Sequence, residues 1–168
     1  MTVMETERLL LREFVAEDAA FILELVNEPD WLRFIGDRGI HDLDAARRYI
    51  VEGPRAMQAR AGFSLWCVEA RAGGEPLGMC GLIKRDTLEH VDIGFAFLAR
   101  HRGRGYAREA AAATLAHARM LGLGRLAAIT NPENIRSIRL LEALGFQAAG
   151  QRQLTPQSPA VSLFLQAG

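Results

Sequence analysis

The chain has 168 residues, of which 49% are hydrophobic and 24% charged, a length inside the roughly 100–200 residues of one domain. That balance excludes the low-hydrophobicity, high-charge composition of a disordered chain. Lys and Arg number 20 and so do Asp and Glu, so no net positive field favours nucleic acid or an anionic membrane as partner.

The opening MTVMETERLLLR carries charges where a signal peptide needs an apolar run. No stretch reaches the ~18 apolar residues of a membrane span. The expectation is a single soluble, cytoplasmic domain with no membrane or nucleic-acid partner. Cys67 and Cys80 are too few for a disulfide framework and lack CxxC spacing. A tight turn at Gly73-Gly74 would set them opposite each other, within geometric reach of a bond, but buried reduced thiols are the expected state. His41, His90, His101 and His117 have no metal-ligand spacing, so no metal is expected.

No repeat or flexible linker interrupts the chain. Arg8 to Phe14 reads as a first strand, and Ala19, Ile22, Leu23 and Val26 at helical spacing read as a helix closed by Asn27-Glu28-Pro29-Asp30. An irregular stretch, Trp31 to His41, follows. Asp42 can cap a second helix bearing Leu43, Ala46 and Ile50, with Gly53-Pro54 kinking it before a turn through Ala61. The period then changes: Phe63–Glu69 and Leu77–Ile83 flank Ala72-Gly73-Gly74-Glu75 as a hairpin, and Glu89–Leu98 is a third strand. An Ala-rich helix from Tyr106 to Leu121, a strand Leu126–Thr130 and a helix Asn134–Leu144 come next. Phe146–Leu154 and Val161–Gln166 form a last hairpin. The order β-α-α-β-β-β-α-β-α-β-β describes an α/β mixed sheet with helices on both faces.

One junction carries chemistry. From Phe95 to Glu109 a strand enters a loop with Gly103 and Gly105, and the loop enters a helix. Glycines allow close backbone approach and positive φ, and the first N–H groups of a helix lack internal partners, so such a junction can cradle phosphate. Arg100, Arg102, Arg104 and Arg108 add cationic donors. A Walker A loop is absent, and a dinucleotide fingerprint would need a third glycine where Arg108 stands. Taken alone, the loop also fits a plain glycine turn with solvated arginines.

The run Arg100-x-x-Gly103-x-Gly105-Tyr106-Ala107 resembles the acetyl-CoA signature of the GNAT superfamily of N-acetyltransferases, R/Q-x-x-G-x-G/A. The block from Asn131 to Phe146, ending Glu142-Ala143-Leu144-Gly145-Phe146, resembles the family's later strand end and helix. Glu7-Arg8-Leu9-Leu10-Leu11-Arg12 is similar to the opening of the ribosomal-protein N-terminal acetyltransferase branch. The resemblance implies a GNAT-like fold with a splayed central strand pair and acetyl-CoA as donor cosubstrate. It implies that main-chain groups near Phe97 and Leu98 hold the pantetheine and acetyl group. Arg102, Gly103, Arg104, Gly105, Tyr106 and Ala107 would bind the pyrophosphate, and Asn134 would contact the cofactor.

An amine must lose its proton before it attacks. Glu89, His90 and Asp92 lie on the strand entering the site, and strict alternation would put His90, Asp92, Gly94, Ala96 and Leu98 on one face. Asp92 stands where the family carries an acid, and its other reading is a solvated strand acid or a charge that binds the acceptor. Many relatives place a tyrosine before the glutamate of the last helix; here it is Leu141. Ser137 resembles the serine of the ribosomal-protein branch, able to hydrogen-bond the CoA sulfur, or else a hydroxyl bonding back to a helix carbonyl. Tyr106, His117 and Trp66 read as packing residues. Trp31 and Phe34, with Asp30, Asp37, His41 and His90, are candidates for acceptor recognition, and Trp31 and Phe34 equally fit a core role.

The expected function is acetyl transfer to a primary amine of a protein or peptide N-terminus or of a small molecule. The alternative is a non-catalytic acyl-CoA sensor. A homodimer is compatible with either. Residues 13–32 hold six acids and no Lys or Arg, whereas 100–109 hold four arginines and one glutamate. That segregation suits an anionic cofactor at the basic loop and a cationic amine at the acidic helix.

Overall fold

Alternation puts Leu9 and Leu11 on one face of the first expected strand, and both are fully buried. The computed structural model describes residues 1–167. Its strands are β1 (Thr2–Glu5), β2 (Leu9–Arg12), β3 (Leu65–Ala70), β4 (Pro76–Ile83), β5 (Asp92–Phe97), β6 (Ala127–Thr130), β7 (Phe146–Arg152) and β8 (Val161–Gln166). The helices are α1 (Ala19–Val26), α2 (Pro29–Phe34), α3 (Leu43–Ile50), α4 (Ala56–Ala61), α5 (Tyr106–Met120) and α6 (Ile135–Ala143). One mixed sheet runs in the order β1-β2-β3-β4-β5-β6-β8-β7. Every neighbouring pair is antiparallel except β5 with β6. No described helix is long and apolar enough to cross a membrane.

The sheet has a packed layer on each face. Trp66, Val68, Cys80, Leu82 and Ile93 pack with α5 through Ala110, Ala111, Leu115 and Ala118. Cys67, Met79 and Leu98 pack on the other face with α1 and α3. Trp66 Nε1 donates to Gln58 at 2.9 Å, and the indole meets the His117 ring edge-on at 5.4 Å, so both are packing residues.

Four expectations change. A further edge strand, β1, precedes the first expected one; it is four residues long with no burial alternation to read. Asn27 to Asp30 ends α1 and also starts α2, because Pro29 sits at the first helical position, where its missing N–H is harmless. The strand expected from Glu89 begins at Asp92; Glu89 and His90 lie in a bend before it, so His90 does not share the alternating face. Cys67 pairs with Met79 and Cys80 with Trp66, so the thiols face opposite sides of the sheet and cannot bond. Both are buried and free, and burial pushes each thiol up to about 12.

The close pairing of β4 with β3 sets a tight constraint. A Cβ at Gly81 would lie 2.0 Å from the Ser64 carbonyl oxygen on β3's approach, a backbone atom that cannot step aside. Gly81→Ala is expected to destabilise the fold by about 2–3 kcal/mol, read as a lower urea midpoint with an unchanged slope.

Candidate functional site

The site begins where a sheet fails to close. β5 pairs with β4 along its whole length, Gly78↔Phe97 through Ile83↔Asp92, and all of β6 pairs with β8. Between β5 and β6 there is one register pair, Asp92↔Ala127, with Ala127 N–H donating to the Val91 carbonyl at 2.9 Å. Beyond it no further β5–β6 pair forms, and a cavity of about 160 Å³ is bounded by Phe95 and Phe97 of β5, by α2 and by α6. Leu98 N–H donates to Leu77 O at 3.0 Å, so even-numbered backbone groups of β5 face β4. Those of Phe95 and Phe97 therefore face the gap. The Phe97 carbonyl accepts from Arg102 Nη2 at 3.2 Å; the N–H of both residues and the Phe95 carbonyl have no strand to pair with. Leu98, expected to present its main chain here, is fully buried with its N–H given to β4.

The loop from β5 to α5 presents donors. Gly103 and Gly105 take φ of 79° and 80°, and Gly105 is the N-cap of α5 with no side chain capping it. Among the described residues the N–H groups of Gly103, Arg104 and Gly105 find no acceptor. They lie next to the unpartnered N–H groups of the first turn, where Ala107 lines the cavity. This is the arrangement an anion needs at a helix N-terminus. Arg104 and Arg108 are exposed and form no ion pair among the described residues. Tyr106 is half-buried beneath the Arg8 guanidinium, 4.6 Å from its ring centre.

The other two arginines are engaged by the acidic segment. Arg100 pairs with Glu24, Ala99 N–H donates to Glu28 at 3.0 Å, and Arg102 pairs with Asp30 at 2.6 Å. Arg136 of α6 reaches the same Asp30 oxygen at 3.6 Å. Asp18 is held by Arg12 at 2.8 Å. Glu24, Glu28 and Asp30 of the acidic stretch are therefore engaged by the basic one, a correction to the expectation that these acids stand free to attract an amine, while Arg104 and Arg108 stay unpaired among the described residues. Asp37 and His41 pair with each other at 3.4 Å, both well exposed, outside the cavity lining.

Across the gap, Asn134 and Ser137 line the cavity from α6. Asn134 Oδ1 caps the helix by accepting from Ser137 N–H at 3.2 Å, which leaves its amide NH₂ free. The Ser137 hydroxyl forms no bond back to a helix carbonyl among the described residues. Leu141 is 1% exposed in the core, while Leu140 faces the cavity. Neither tyrosine, Tyr49 or Tyr106, lines it.

Trp31 and Phe34 line the cavity from α2, and the buried indole N–H of Trp31 has no partner. His90 does not line it. Asp92 is 1% exposed at the closed apex and outside the lining, with Arg85 Nε donating to it at 3.1 Å. Burial pushes its carboxyl up to about 6, against the pull of Arg85. The sequence reading missed Phe95, Glu28 and Arg136. The parity of strand backbone groups would have found Phe95; the other two depend on contacts between remote segments. No group of three His, Cys, Asp or Glu among the described residues could hold a metal.

Residues 8–147 match the acetyltransferase (GNAT) domain model. The chain is 34% identical over 148 residues to the uncharacterized protein YkkB of Bacillus subtilis, covering 86% of this chain and 84% of that one. It is 30% identical to the uncharacterized N-acetyltransferase p20 of Bacillus licheniformis over 89% of this chain and 85% of the other. Its fold matches the ribosomal-protein-S5-alanine acetyltransferase of Vibrio fischeri with a TM-score of 0.77 and 17% identity, over 99% of this chain and 96% of that one.

With its carboxyl raised from 3.8 to about 6, folded Asp92 keeps a proton that the unfolded chain has already released. Stability from this group is therefore full below pH 3.8 and is lost as pH rises through about 6. Asp92→Asn is expected to flatten the dependence of melting temperature on pH across that window, measured by thermal melts in matched buffers.

Proposed function

This chain belongs to the GNAT acetyltransferase family and is an acyltransferase, and from that premise we propose that it moves an acetyl group from acetyl-CoA to a primary amine in the cleft between β5 and β6. The observation that carries this reading is the coincidence of an unpaired strand edge with an uncapped, glycine-flanked helix N-terminus at the same end of the cleft. Acetyl-CoA supplies the activated acyl carbonyl. Phe95 and Phe97 offer backbone N–H groups to the amide arm, as a neighbouring strand would, and the N–H groups of Gly103 to Ala107 with Arg104 and Arg108 receive the pyrophosphate. Asn134 reaches the arm with its free NH₂. Ser137 holds the sulfur by a hydrogen bond; a serine hydroxyl is too weak an acid to do more at neutral pH.

The acceptor enters past Trp31 and Phe34. The similarity in fold to ribosomal-protein acetyltransferases supports a protein or peptide N-terminus as the acceptor class, with a small amine as the second choice. Asp92 is shut off from the cavity, so it takes the amine's proton through water. A carboxyl at about 6 holds that proton better than an ordinary one.

Calorimetry with acetyl-CoA and a thiol-release assay over a panel of peptide N-termini and small amines test the reading. Binding without turnover on every amine would favour an acyl-CoA sensor. Gly103→Val forces a β-branched residue into φ of 79°, and its CoA affinity is expected to fall by more than about tenfold. Asp92→Asn is expected to lower kcat by about a hundredfold and to remove the rise in rate as pH passes through about 6. A wild-type profile in that variant would rule out the relay.

A further inference from the structure

The cradle is built from two positive-φ glycines around a single residue, Arg104, the least constrained backbone in the site. Something must hold it in the donor-presenting form, and the contacts on its outer side come from a remote segment. Arg8, between β1 and β2, donates from Nη1 to the Arg104 carbonyl at 2.8 Å and from Nε to Glu109 at 2.7 Å. Its guanidinium lies over the Tyr106 ring at 4.6 Å. Glu109 is in turn held by the Arg8 N–H at 2.9 Å and by the Thr6 hydroxyl. Burial alone would raise this carboxylate, but those hydrogen bonds hold it below its ordinary value.

The grip on Arg104 O has a directional consequence. A trans peptide points its carbonyl and the following N–H to opposite sides, and no peptide here is cis. Turning the Arg104 carbonyl toward Arg8 therefore turns the Gly105 N–H away from it, to the side left open for the anion. A Cβ at Gly105 would lie 3.3 Å from Arg8 Nη2, so this glycine also admits the guanidinium against the loop.

Building on the acetyl-CoA reading, we propose that Arg8 is the positioning residue of the pyrophosphate cradle: from outside the cleft it fixes the Arg104–Gly105 peptide and the first turn of α5 so that their N–H groups converge on the diphosphate. A planar fork that bonds a carbonyl and a carboxylate together is needed for this, and a lysine ammonium cannot span both.

The test separates this role from general support of the fold. In the full-length protein, CoA affinity is measured by calorimetry. Affinity for pantetheine, the same arm without the diphosphate, is measured by NMR titration. Arg8→Met is expected to weaken CoA about tenfold and to leave pantetheine binding unmoved; Arg8→Lys, still charged beside Glu109, should weaken CoA in the same selective way by less. Unchanged CoA affinity in the Met variant, or equal loss for both ligands, would overturn the proposal. If the Met variant does not fold, the Lys variant carries the same comparison. Failure of the wild-type protein to bind CoA at all would instead overturn the reading on which this rests, before any variant is compared.

Discussion

A single register pair, Asp92↔Ala127, decides the character of the whole sheet. Each of the two central strands is fully committed to its outer neighbour, β5 to β4 and β6 to β8, and together they form only the beginning of a parallel ladder. Unpaired backbone groups inside a fold are costly, so a gap of this kind stands only where something polar fills it or water reaches it. Here the gap opens to the surface between α2 and α6, and the Phe95 and Phe97 main chain faces into it. Buried Asp92, paired with the partly exposed Arg85, sits at the vertex, where the low exposure of the carboxylate makes ionisation expensive and the pairing offsets part of that cost.

A second constraint acts across the mouth. Three carboxylates from the end of α1 and the start of α2 meet three groups after β5: Glu24 with Arg100, Glu28 with the Ala99 N–H, and Asp30 with Arg102. Most of these side chains are partly exposed, and each such pair contributes little to stability. Their collective effect is positional, since they hold α2, and with it Trp31 and Phe34, against one wall of the cleft. Asp30 also draws Arg136 from the opposite wall. The cations left unpaired here among the described residues, Arg104 of the loop and Arg108 in the first turn of α5, are the ones at the helix N-terminus.

Elements with a strong period were legible from the chain alone. The Gly73-Gly74 hairpin, the Ala-rich α5 and the helix ended by Gly145 lie within a few residues of where their patterns put them. Misreadings cluster where local signals serve two purposes. Pro29 is a helix breaker for α1 and a first-turn residue for α2. The hydrophobic alternation through His90 continues past the point where pairing begins, because pairing depends on the partner strand and not on the sequence of β5. Cys67 and Cys80 are free and buried as expected, but the reach between them fails by one position of register, and in a strand one position is a change of face.

What the amino-acid sequence determined by itself is most of the element order and the freedom of the loop ahead of α5: Gly103 and Gly105 permit the positive φ that both adopt, because that property belongs to the local backbone. The position of Ser137 one turn on from Asn134 is likewise a consequence of helical spacing. Only the tertiary structure decided which charges remain free and which backbone edge is unpaired. The acidic and basic stretches look like two separate fields along the chain, yet the end of α1 and the β5 exit are adjacent in space, and Glu24 and Asp30 pair with Arg100 and Arg102. Arg8 reads as an ordinary strand residue until the fold sets it beside Arg104 and Glu109, roughly a hundred positions away. Charge pairing and strand closure depend on distances through space, and a sequence records only distances along the chain.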